Sequence, residues 1–145
     1  MNFLAFLFFL VVAFYFIWNS KGSGDKSEMA GIGKMLIGVF VSIIIMGFVF
    51  KGLLAMFPGL THHTARNLMN ELGASFLAVW GMKFLIVAIS TIFSRIMSFH
   101  KKYNADNYKK FSPFTNKLAP GLLVLAKCIV SLASILIFYG IWFTH

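Results

Sequence analysis

Apolar and polar stretches alternate four times along this chain. Runs of about 17 to 25 apolar residues, the length that crosses a hydrocarbon core of roughly 30 Å, fall at Asn2–Trp18, Met35–Phe57, Leu72–Ser94 and Ala119–Phe143. The segments between them read "NSKGSGDKSEMAGIGK", "PGLTHHTARNLMNE" and "RIMSFHKKYNADNYKKFSPFTNKL", each with the Gly, Pro or polar punctuation that a turn outside lipid needs. The pattern predicts an all-α integral membrane protein, a helical bundle of four transmembrane helices at about 2–18, 35–57, 64/72–97 and 119–143. It forms one polytopic domain, 1–145, with loops at 19–34 and 95–118 and a short outer loop at 58–70.

Composition strengthens this reading. Of 145 residues 59% are hydrophobic, 18 are Phe and only 4 are acidic, which leaves no room for a separate soluble domain. The first run has no basic residue before it, and "IWNSKGSG" has no small-x-small cleavage site, so it is expected to be kept as a helix.

Charge sets the expected orientation, since Lys and Arg near span ends stay on the cytoplasmic side. The first loop carries Lys21, Lys26 and Lys34, and the third carries Arg95, Lys101, Lys102, Lys109, Lys110 and Lys117. The second loop has only Arg66. Both termini are therefore expected outside a bacterial inner membrane. "HKKYNADNYKK" interleaves basic and aromatic residues as a single-strand nucleic-acid binder would, but the orientation rule and attraction to anionic lipid headgroups already require such a loop. No nucleic acid is expected. Phe99, Tyr103, Asn107 and Phe111 recur every four residues, which predicts a short interfacial helix broken at Ser112-Pro113.

Absences narrow the chemistry. Cys128 is the single cysteine and is expected to be buried in the fourth span, so thiol–disulfide exchange has no second thiol. His62, His63, His100 and His145 all fall at span ends, which disfavours bis-histidine haem. Of Asp25, Glu28, Glu71 and Asp106 only Glu71 lies close to a span, which disfavours a cation pump. No phosphate loop, GxSxG or HExxH occurs, and no catalytic residue and no cofactor is assigned. His62, His63 and His145 are weak metal candidates, because adjacent histidines point apart whereas a shared ion prefers a spacing such as i, i+4.

Three of the thirteen basic residues fall inside spans: Lys51, Lys83 and Lys127. A charge at mid-span costs about 2.5 to 3.5 kcal/mol on insertion scales, so each needs a partner or an exit. Lys127 is expected to snorkel to the interface. Lys51 and Glu71 are expected at one depth across the second hairpin, as an ion pair. Lys83 has neither remedy. It lies on a stripe of Glu71, Ser75, Val79, Lys83, Val87, Ser90, Thr91 and Ser94, whose helical spacing predicts a face turned to protein or water. Lys127, Ser131 and Ser134 form a shorter stripe, Gly38/Ser42 and Ala74/Ala78 are small-xxx-small pairs, and packing among spans two, three and four is expected. The remaining partners for Lys83 are carbonyls or Ser hydroxyls with the face of Trp80, a carboxylate on another membrane protein, a ring of lysines in a homo-oligomer, or an anionic headgroup or substrate.

In size and architecture the chain is similar to small bacterial inner-membrane proteins, among them membrane-embedded immunity proteins and conjugative exclusion proteins. That similarity implies action by contact with another integral membrane protein, as an accessory subunit. Arg66, Asn67, Asn70 and Glu71 echo the Arg-x-x-Asn-x-x-Glu style of the four-helix glutathione- and eicosanoid-linked membrane enzymes, with different spacing. Protein–protein contact is the expected function, through Lys101, Lys102, Tyr103, Tyr108, Lys109, Lys110 and Phe111 or through the polar face of span three. The alternatives are a homo-oligomeric anion channel or transporter using Lys83, and a small four-helix membrane enzyme.

Overall fold

The computed structural model describes residues 2–21, 26–57, 59 and 61–144, with all side chains in those stretches except 107, 111 and 114–118. Every regular element among them is helical: α1 (Asn2–Trp18), α2 (Lys26–Met56), α3 (His62–Tyr103) and α4 (Ala105–Phe143). Helices α2, α3 and the 119–143 part of α4 are long and apolar enough to cross a membrane, while α1 is a 17-residue apolar helix.

Helices α2, α3 and α4 start earlier than the apolar runs that seed them, and α3 also ends later, at Tyr103. In α2 the first turn begins at Lys26, where the Glu28 carboxylate accepts hydrogen bonds from Ser20 Oγ and the Lys21 backbone N–H, each at 2.9 Å. A carboxylate there suits the positive end of the helix dipole. Thr61 caps α3, its side chain accepting from the Thr64 N–H at 3.1 Å. The expected break at Ser112-Pro113 does not occur. α3 runs on to Tyr103, the chain turns at Asn104, and α4 passes through Pro113 and Pro120 without ending. A proline removes one helical N–H and crowds one carbonyl, but Asn104 leaves the helical region of backbone space altogether, at φ −141° and ψ 58°, so the break sits there. Most of the 95–118 stretch expected as loop is therefore two helix ends.

Packing also departs from the expected core of spans two, three and four. α1, α3 and α4 form it, around Phe9, Ala13, Ile17, Val79, Met82, Ile86, Val130, Phe138 and Trp142. Phe9 is the hub: its ring meets Phe76 edge-on and stacks near Phe138 and Trp142. Among the described residues α2 packs on α3 and on no other helix. The contact runs through Gly73 against Ile43, Gly47 against Met69, and the Trp80 indole N–H donating to the Ile32 carbonyl at 3.2 Å. The small residues that matter are thus Gly47 and Gly73. A side chain at Gly38 would meet nothing within 4 Å, Ser42 bonds back to the Gly38 carbonyl, and of the Ala74/Ala78 pair Ala74 is exposed while Ala78 packs against the core.

α1 lies parallel to α3 and antiparallel to α4. Phe9 beside Phe76 and Phe16 beneath Lys83 share one offset, while Asn2 meets Trp142 and Ser20 meets Lys127. α1 therefore ends level with residues 85–87 of α3, and α3 continues for about 16 residues, roughly 24 Å, with α4 beside it.

Candidate functional site

Three polar features interrupt this apolar bundle, one at the carboxyl end of α1, one beside it, and one at the opposite end. At the first, Lys127 is 7% exposed and donates to the backbone carbonyls of Ser20 at 2.7 Å and Trp18 at 3.1 Å. Its ammonium also lies 5.9 Å from the Trp18 ring centroid. The last carbonyls of a helix have no partner within it and carry the negative end of its dipole, so a lysine from α4 caps α1. The snorkelling expected of Lys127 toward the interface takes its ammonium to the polar carboxyl end of a neighbouring helix.

Lys83 is half-buried and stands 4.8 Å over the ring of Phe16. The aromatic face comes from α1 and not from Trp80, which is engaged with Ile32 and stacks on Phe84. Around it the α3 stripe is turned inward: Ser75, Val79, Val87, Ser90 and Thr91 are buried, Glu71 is half-buried, and only Ser94 is exposed. Ser75 and Ser90 bond to the carbonyls of Glu71 and Ile86 on their own helix. Thr91 and Ser131 keep buried hydroxyls with no hydrogen-bond partner, and Ser134 donates to the Ser131 carbonyl.

The opposite end holds the most connected polar group. The Trp142 indole N–H donates to Ser75 Oγ at 3.1 Å, the Ser75 hydroxyl donates to the Glu71 carbonyl at 2.7 Å, and Asn2 Nδ2 donates to the Trp142 carbonyl at 3.1 Å. Beside this chain of bonds is a cavity of about 230 Å³ lined by Asn67, Asn70, Glu71, Ala74 and Ile141. The expected Lys51–Glu71 ion pair is absent, and Lys51 is exposed. The reason is register. α2 ends at Met56 and α3 begins at His62, so Lys51 lies about 8 Å from its end of the hairpin and Glu71 about 14 Å from the other.

His62 and His63 are exposed in the first turn of α3, and His145 lies outside the described residues. Among the described residues no three His, Cys, Asp or Glu side chains gather as metal ligands. Cys128, expected to be buried, is exposed on α4. The basic cluster divides between two helix ends. Lys101, Lys102 and Tyr103 are exposed at the end of α3, with Lys102 5.2 Å over the Tyr103 ring, and Lys109 and Lys110 are exposed on α4. Tyr108 is half-buried, and the side chain of Phe111 lies outside the described ones. The residues missed by sequence reasoning are Trp18, Ser20 and Phe16. Each acts through a neighbour on another helix, and no spacing within α1 signals that.

Comparison with known protein families, with characterised proteins and with solved structures gives no match for this chain.

Proposed function

We propose that the protein is a four-span membrane protein, with both termini outside a bacterial inner membrane, that acts by contact with another integral membrane protein. The contact surface is the protruding part of the α3–α4 hairpin, and its partner presents an acidic helix with an apolar face. The observation that carries this reading is a row of exposed apolar side chains on α3. Leu85, Ile89, Ile92, Ile96, Phe99 and Tyr103 recur at alternating spacings of four and three, the seam that a helix offers to another helix. Arg95, Lys101 and Lys102 flank it, so charge complementarity favours an acidic partner.

Burial of Ser75, Ser90 and Thr91 also supports the reading, since it leaves the hairpin as the accessible one of the two candidate surfaces. The test is purification of the tagged protein in mild detergent with mass determination of the intact complexes. Wild type and Lys83→Met should each retain a second membrane protein, and Phe99→Ser with Lys101→Gln and Lys102→Gln should lose it. A chain that emerges alone as a closed homo-oligomer overturns the proposal and brings anion-flux assays on Lys83 forward.

A further inference from the structure

The cavity at the other end of the bundle presents a carboxylate that has no countercharge among the described residues. Asn67, Asn70, Glu71 and Ala74 follow at helical spacings of three, four and seven, so they share one face of α3, and Ile141 of α4 lines the half-open space beside them. Glu71 is half-buried, and its carboxylate forms no ion pair among the described residues. Its neighbours at the cavity wall are two side-chain amides, each offering a carbonyl oxygen as well as N–H donors.

This donor set selects its ligand by chemistry. One carboxylate and two amide oxygens supply a negative charge and three acceptor groups, which match the charge and the three N–H donors of a primary ammonium. A calcium ion takes six to eight oxygens, more than the lining offers. A quaternary ammonium has no N–H to donate and is held by aromatic rings, and none of the described residues lining this cavity is aromatic. The volume of about 230 Å³ exceeds what a bare ion fills and suits a small polar headgroup, while Ala74 and Ile141 give it an apolar side. The Trp142–Ser75–Glu71 bonds hold this turn of the α3 backbone against α4.

We propose that the Asn67–Asn70–Glu71 cavity binds a primary ammonium group, carried either by an aminophospholipid headgroup or by a free amine of ethanolamine size. The site rests on the helical membrane fold and is independent of the hairpin contact, so either can fail alone.

The test uses the full chain in detergent and measures retained ligand by native mass spectrometry. The probes are a phosphatidylethanolamine, the phosphatidylcholine of the same acyl chains, and free ethanolamine. Wild type should retain phosphatidylethanolamine at least tenfold better than phosphatidylcholine. Glu71→Gln keeps the shape and removes the charge, and should abolish the preference. Ala74→Leu fills the space from an exposed position and should abolish it with Glu71 intact. Competition by millimolar ethanolamine, with no preference between the lipids, assigns the site to a free amine. Equal retention of both lipids by wild type with no effect of ethanolamine overturns the proposal, as does wild-type preference in the Glu71→Gln protein at an unchanged melting temperature.

Discussion

Lys127 and Lys83 carry the same ammonium into the same bundle, and they differ in what it meets. Lys127 makes two charge-assisted hydrogen bonds, to the last carbonyl of α1 at Trp18 and to the Ser20 carbonyl just beyond it. Lys83 faces an aromatic ring and, among the described residues, no hydrogen-bond acceptor. A cation–π contact contributes about 0.5 to 2 kcal/mol, less than the roughly 2.5 to 3.5 kcal/mol that a mid-span lysine costs. The two methionine substitutions should therefore act in opposite directions. Lys127→Met should lower stability by about 2 to 3 kcal/mol, and Lys83→Met should raise it by about 1 kcal/mol. Reversible unfolding in mixed micelles reads both. A loss of stability in Lys83→Met would mean that its ammonium has a partner beyond Phe16.

At the scale of elements, α2 is the weakly held one. Only 6% of its most apolar window is buried, and among the described residues α3 is the one helix it packs on. Contacts at Gly47 and Gly73 and the Trp80–Ile32 hydrogen bond hold it. A Cβ at Gly73 would lie 3.9 Å from Ile43, so alanine fits, whereas leucine would force the helices apart. In a protein lacking Cys128, a Gly47→Cys, Met69→Cys pair should cross-link with Gly73→Ala and fail with Gly73→Leu. A cross-link between Phe9→Cys and Phe138→Cys, within the α1–α4 core, should form in both. Much of this layer was legible in the sequence: apolar runs marked the helices, and the spacing of Ser75, Ser90 and Thr91 marked the inward face of α3. The partner of each helix was not. Hydropathy gives every apolar helix one value all round when lipid and protein interior are both apolar, so nothing in the run 35–57 tells that α2 touches α3 alone. The Lys51–Glu71 error has a similar origin, because a few residues' difference in where two helices end displaces facing groups by about 6 Å.

The whole molecule is asymmetric along its axis: three helices surround α3 near the end that holds Glu71, and α4 alone accompanies it at the end that holds Tyr103. Two surroundings compete for that basic end, an anionic lipid surface and an acidic protein. Near an anionic membrane each lysine contributes about 1 kcal/mol, and screening weakens the attraction beyond about 10 Å at 0.1 M salt. Replacing Lys101, Lys102, Lys109 and Lys110 by Gln should then cost about 4 kcal/mol of attraction to lipid, close to a thousandfold. The exposed apolar row makes the two cases separable, since burial against a partner helix does not depend on salt. The measurement is release of a hairpin-bound partner against rising salt, for wild type and for the fourfold variant. A protein partner held by Ile92, Ile96 and Phe99 should survive salt that abolishes binding of soluble anionic vesicles, and Ile96→Ser should remove it at any salt. Parallel loss of partner and vesicles over one salt range would instead make the hairpin a lipid-facing device.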